Sequence, residues 1–250
     1  MGAMQRWTAP HGSRIAYRVN NGRGPGVVWM GGFRSDMDGG KASALHAWAE
    51  DRGGAFLRFD YSGHGASDGR FEDGSIGAWT RDAGAVLKTL TKGPQIVVGS
   101  SMGGWIALNL ARQMPEKFAA LILVAPAPDF TARLEGEMGE SARRALTAEG
   151  VWMMPADDPS FGPTPISREF LSEARENFLL TGGKIPVTCP VRILQGMKDE
   201  PVPWRGSLEL AEALESQDVG LNLIKDGDHR LSRPQDIKRI IAAVAEFCAD

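Results

Sequence analysis

Short apolar runs recur along the chain, each closing on glycine or another turn residue: GVVWM (26–30), AFLRFD (55–60), QIVVG (95–99), AALILVA (119–125) and VRILQG (191–196). Runs apolar on both faces suit strands buried in a parallel sheet that helices cover. Between them, KASALHAWAEDR (41–52), SIGAWTRDAGAVLKTL (75–90) and GGWIALNLARQM (103–114) place apolar residues at helical spacing. Ahead of them, RWT and RIAYRV read as antiparallel strands leading into the sheet. The alternation predicts an α/β fold, a mostly parallel central sheet flanked by helices on both faces.

That regularity lapses between Pro126 and Pro186. Two helical patterns, RLEGEMGESARRALTAEG and SREFLSEARENFLL, flank the stretch VWMMPADDPSFGPTP, rich in proline and large apolar residues. About sixty residues without an obvious sheet strand predict a helical cap, 126–186, inserted over one edge of the sheet. Extra packing helices are the plainer role for the same residues, and the two roles are compatible. Alternation resumes with VRILQG, a helix over 204–215, the strand LNLI and a final helix over 235–247. Repeats, low-complexity tracts and long linkers are absent, so residues 1–250 read as one domain carrying that insertion.

Composition narrows the partners. Hydrophobic residues at 42% and charged residues at 24% fit a soluble globular protein with material for a core. The net charge of −3 comes with no long Lys/Arg cluster, which argues against nucleic acid, where affinity rests on neutralising phosphates. No apolar run approaches the roughly 18 residues of a membrane span. The start, MGAMQRWTAPHG, lacks the apolar core of a signal peptide, and Arg6 stands where a myristoylation site needs Ser or Thr. Cys189 and Cys248 sit in no metal or redox spacing and are expected to be reduced. A cytoplasmic protein is the expectation.

The chemistry begins at Gly99-Ser100-Ser101-Met102-Gly103, a G-x-S-x-G pattern between a buried strand and a helix. Register on Ser100 would need glycine at 98 and 102, where Val98 and Met102 stand, so Ser101 is the candidate nucleophile. A glycine-rich turn with an N-capping serine is the competing reading, and partners elsewhere must decide.

A serine hydroxyl needs a base, and the chain offers four histidines. His11 stands in the turn-like PHGS, ahead of the predicted N-terminal hairpin. His46 falls inside an amphipathic helix, where a surface or half-buried structural role fits. His64, in DYSGHGASDG, lies in a glycine-rich loop after a strand, a possible neighbour of the site but ahead of Ser101 in the chain. His229, in KDGDHRLS, follows the last strand and is the best candidate base. Its partner should be Asp199 in LQGMKDEPVPW, just beyond VRILQG; Asp226 and Asp228 share the His229 loop, and Glu200 is a weaker rival. The order Ser101, Asp199, His229 is the order this sheet type uses. Oxyanion donors are expected from the backbone N–H groups of Met102 and of Phe33, beyond Gly31-Gly32. Phosphate-loop, H-E-x-x-H and G-x-G-x-x-G patterns are all missing, so no cofactor and no metal are implied.

Taken together, FDYSGHGASDG, GSSMGGW, QGMKDEPVPW and GDHRLS, in this order, resemble the α/β-hydrolase superfamily over nearly the whole chain. GPQIVVGSSMGGW, GVWMMP and IPVTCPVRILQGMKDEPVPW narrow the likeness to the animal mitochondrial branch that acts as palmitoyl-protein thioesterase and hydrolyses acyl glucuronides. The resemblance carries the family's nucleophile onto Ser101, its acid onto Asp199 and its base onto His229. Two departures accompany it. Gly31-Gly32 replaces the His-Gly that many members carry, and the relatives' transit peptide has no counterpart, so a bacterial-type or processed form is expected.

The reading is a serine hydrolase of acyl esters or thioesters, on small molecules or S-acylated proteins. Trp152, Met153, Met154 and Phe161 are candidates to line its acyl pocket, with cap-to-core packing the alternative for each. A C–C bond hydrolase or acyltransferase on the same fold, and a ligand receptor that no longer turns over, are the rivals.

Overall fold

The computed structural model describes residues 2–156 and 162–248. Its strands are β1 (Gln5–Thr8), β2 (Arg14–Asn20), β3 (Arg23–Met30), β4 (Gly54–Phe59), β5 (Gln95–Ser100), β6 (Phe118–Val124), β7 (Val151–Met154), β8 (Thr164–Ser167), β9 (Val191–Gly196) and β10 (Val219–Ile224). The helices are α1 (Gly40–Asp51), α2 (Ile76–Thr89), α3 (Met102–Gln113), α4 (Phe130–Glu137), α5 (Glu140–Glu149), α6 (Arg168–Arg175), α7 (Arg205–Ala213) and α8 (Pro234–Ala245).

Eight strands form one sheet in the order β1-β2-β4-β3-β5-β6-β9-β10. Only β2 runs against the rest, pairing antiparallel with β1 and β4, while the other pairings are parallel. Side chains alternate across the strands, and both faces are apolar. Val27 and Trp29 of β3 join one core with Leu45 of α1 and Ile240 of α8. Val28 and Met30 join the other with Val86 of α2 and Ile106 of α3. This two-sided burial is why the strands read as unbroken apolar runs.

From β3 the chain passes to β4, then back beyond β3 to β5, so the strand order reverses between β3 and β5. Such a reversal opens a crevice outside the carboxyl ends of the two strands. The loop after Met30 and the turn at Ser101 meet there.

Between β6 and β9 the chain runs through α4, α5, the pair β7–β8 and α6. The expectation that this stretch holds no strand is corrected: Val151–Met154 and Thr164–Ser167 form an antiparallel two-stranded sheet of their own. Each strand is four residues long and pairs across the proline-rich segment, so neither length nor alternation marks it in the sequence. The first predicted helix of this region is two, α4 and α5, parted at Met138–Gly139. The segment is anchored by specific bonds. Glu173 accepts the Gly77 N–H at the start of α2 at 2.8 Å, and Trp105 Nε1 donates to the Asn177 carbonyl at 2.9 Å.

Candidate active site

Ser101 sits between the last residue of β5 and the first of α3, at φ 53° and ψ −118°. An L-residue adopts such a backbone only when its surroundings fix it. Here the Ser101 N–H donates to the Val124 carbonyl at 3.0 Å, and its carbonyl accepts the N–H of Gly104 at 2.9 Å and of Ala127 at 3.1 Å. The two glycines of the pattern are demanded by close approach. A Cβ on Gly99 would lie 2.6 Å from the Gly103 carbonyl oxygen, and one on Gly103 would collide with the Met30 carbonyl oxygen. The turn thus presses against both its own helix and β3, leaving the Ser101 side chain pointed at the crevice.

His229, in the loop after β10, places Nε2 3.1 Å from Ser101 Oγ. Its Nδ1 donates to Asp199 Oδ2 at 2.8 Å. Asp199 follows β9 and its side chain is fully buried. It also accepts from Gln195 Nε2 at 2.8 Å and from the Val202 N–H at 2.7 Å, so every neighbour treats it as an acceptor. Gln195 is held in turn by the Ser207 hydroxyl at 2.9 Å. Because Asp199 fixes the proton on Nδ1, Nε2 faces the serine with its lone pair.

The rival carboxylates are otherwise engaged. Asp226 pairs with Arg233 at 2.6 Å, Asp228 accepts the Leu231 N–H at 2.9 Å, and Glu200 is exposed. The other histidines lie apart. His11, expected ahead of the N-terminal hairpin, occupies the turn between β1 and β2 and bonds Asp82 at 2.7 Å. His46 is fully buried rather than at the surface or half-buried, stacked on Phe56 at 4.9 Å between ring centres. His64 is buried beneath the loop after β3.

That loop supplies Phe33. Its ring is gripped by Phe71, Trp79, Phe130 and Phe170 with centres 5.0–5.9 Å apart, which fixes the backbone beside Ser101. Among the described residues the Phe33 N–H has no hydrogen-bond partner. The Met102 N–H opens α3 and, like any first-turn amide, lacks an intrahelical acceptor.

An open cleft of about 540 Å³ lies over Ser101 and His229, walled by Phe33, Arg34, Lys41, Met154 and Thr164. Of the four candidate pocket residues, Met154 lines it. Trp152 instead packs on the apolar core, and Met153, on the opposite side of β7, is half exposed. Phe161 lies outside the described residues.

Some residues of the site carried no motif. Arg34 Nη1 donates to the Gly162 carbonyl and to Thr164 Oγ1, both at 2.8 Å, tying the Phe33 loop to β8. Lys41 Nζ donates to the Arg230 carbonyl beside His229, and burial pushes its amine down to about 8. Gln195 did leave a signal: an amide near the end of a strand whose other residues beyond Arg192 are apolar or glycine. Among the described residues no three His, Cys, Asp or Glu side chains converge as a metal ion would require. Nor is any helix long and apolar enough to cross a membrane.

A doubly wound sheet with a serine on the tight turn after its central strand defines an α/β-hydrolase. Comparison with known proteins agrees: the family model described as serine aminopeptidase, S33 (Hydrolase_4) matches residues 32–162, and the chain belongs to this hydrolase family. Rat palmitoyl-protein thioesterase ABHD10, mitochondrial, is 40% identical over 93% of this chain and 78% of the rat protein. A putative hydrolase from Agrobacterium vitis S4 superposes with a TM-score of 0.93 at 40% identity, covering 99% of both chains. The α/β hydrolase domain-containing protein 10 from mouse gives 0.90 at 37% identity over 98% of both. The protein is a hydrolase, which removes the receptor reading. The cytoplasmic expectation is also overturned, because the rat protein and its human counterpart, 38% identical, are mitochondrial by name. Unpaired thiols do not tell one compartment from another.

Proposed function

We propose that the protein is a serine esterase or thioesterase working through Ser101, His229 and Asp199. One observation carries the reading: the unbroken line from Asp199 Oδ2 through His229 to Ser101 Oγ, at 2.8 and 3.1 Å. His229 Nε2 takes the proton as Ser101 Oγ bonds to the acyl carbon. The carbonyl oxygen becomes an anion held by the N–H groups of Phe33 and Met102. The imidazolium, steadied by Asp199, returns the proton to the leaving thiol or alcohol as the C–S or C–O bond breaks. Water then repeats the sequence on the acyl-enzyme, releasing the acid and restoring Ser101.

The segment 126–186 is the cap of this site, closing one wall of the cleft through Met154 and Thr164. S-acylated protein is the substrate class the relatives' name favours, with small acyl esters and thioesters as simpler members of the same chemistry. Reaction with a fluorophosphonate probe tests the mechanism: labelling should fall on Ser101 and vanish in Ser101→Ala. A parallel series of an acyl thioester, an oxygen ester, an aminoacyl amide and a ring-fission diketone tests the reaction class. Preferred turnover of the amide or diketone would overturn it.

A further inference from the structure

The loop DYSGHGASDG holds a buried histidine that the triad does not use. His64 is 3% exposed and is walled by the rings of Tyr61, Phe71 and Trp79, 4.9–5.6 Å between centres. Among the described residues no hydrogen bond joins it to Ser101, Asp199 or His229. Its two nitrogens are nonetheless committed. Nε2 lies 3.3 Å from the Arg34 N–H, which can only donate, so Nε2 is the bare nitrogen. The proton therefore sits on Nδ1, which donates to the Ser62 carbonyl at 3.3 Å. Burial keeps the ring neutral, as this arrangement requires.

What it holds is the Gly32–Ser35 turn, closed by the Ser35 N–H on the Gly32 carbonyl at 3.1 Å, with Phe33 and Arg34 at its centre. Arg34 stands at φ 56°, a conformation an arginine adopts only under constraint. One constraint is its guanidinium on β8, and the other is its own N–H on His64.

We infer that His64 is a positioning residue for the oxyanion loop: as a neutral imidazole it fixes the Arg34 amide and thereby the Phe33 N–H that faces the developing oxyanion. The inference rests on the serine-esterase reading above.

The test uses the full chain with p-nitrophenyl butyrate as substrate and a butyl trifluoromethyl ketone as an analogue that carries the oxyanion. His64→Leu removes the acceptor. His64→Gln keeps one the same number of bonds from Cα, and His64→Asn stops one bond short. Losing a well-placed oxyanion donor lowers kcat by about 100-fold, so His64→Leu and His64→Asn should approach that loss with KM within about twofold. The ketone's affinity should fall by the same factor, and His64→Gln should recover most of both. Should the leucine variant fail to fold, the glutamine and asparagine pair makes the same comparison. Equal kcat in the folded variants and wild type, or equal losses without glutamine rescue and with ketone affinity unchanged, would overturn the inference. A wild type inert on the ester, or a Ser101→Ala variant that retains turnover, would instead sink the serine-esterase reading itself.

Discussion

Among the described residues, serine, aspartate and histidine meet in two groups, and they differ in which residue stands in the middle. In the crevice the histidine stands in the middle, with Asp199 on one nitrogen and Ser101 on the other. Under the β1–β2 turn the aspartate stands in the middle. Asp82 Oδ1 accepts from His11 Nε2 at 2.7 Å, and Oδ2 accepts the Ser62 hydroxyl at 2.6 Å and the Ser62 N–H at 2.9 Å. A proton leaving Ser62 would have to settle on a carboxylate, a far weaker base than imidazole near neutral pH. Ser62 is also bound at both hydroxyl and amide by the one carboxylate, whereas the Ser101 hydroxyl meets His229 Nε2 and opens on the cleft. Order and access, rather than composition, separate the proposed nucleophile from a clamp that joins α2 to the loop after β4.

The largest effect expected from this contrast is at the two serines. Ser101→Ala should cut kcat roughly 10⁶-fold while leaving the thermal midpoint near wild type. Ser62→Ala should keep kcat within the same order and lose stability of about 1 kcal/mol, the scale of one hydrogen bond. Steady-state kinetics and denaturant melts on the pair check this, and a Ser62 variant that is folded but inactive would break the comparison. The aspartates come next. Asp199→Asn should lower kcat about 10⁴-fold, because an amide facing Nδ1 favours the wrong tautomer. Asp82→Asn should lower stability by about 1–3 kcal/mol and spare turnover, since it leaves a buried donor without its acceptor.

The same contrast explains what could be read from the sequence. Glycine register singled out Ser101 over Ser100 because Gly99 and Gly103 answer a steric demand written in the pentapeptide itself. Asp199 and His229 were legible because each follows a strand on the sheet's carboxyl edge. The apolar runs were legible because both faces of β3, β5 and β6 are buried. The clamp at Asp82 was not: a carboxylate inside an amphipathic helix reads as solvated until the packing turns it inward, to 1% exposure. The pair β7–β8 was hidden because its pairing spans a proline-rich segment. Arg34 and Lys41 escaped for a related reason, as long side chains whose partners lie on distant loops, at β8 and at Arg230.

The smallest effect on turnover concerns pH, and it separates the loops around the site from the proposed triad. His64 is pushed by burial down to about 4, below the ordinary histidine value near 6.5. As pH falls, the unfolded chain takes up this proton first, so stability present above about 6.5 is lost progressively toward 4, by about 3 kcal/mol. Asp60 accepts the Met37 N–H at 2.6 Å and the Ala66 N–H at 2.8 Å, joining the two loops that flank the crevice. Burial pushes its carboxyl up to about 6, so here the folded state takes the proton first. Its contribution has the opposite sign, and stability gained as pH falls from about 6 toward 4 is again about 3 kcal/mol. In the wild type the two largely offset. Removing one exposes the other: relative to wild type, His64→Gln should gain stability on acidification from pH 6.5 to 4, and Asp60→Asn should lose it, with the differences between the three proteins constant above pH 7. Denaturant midpoints across that range measure this, and parallel curves for all three proteins would show that neither burial governs the loops.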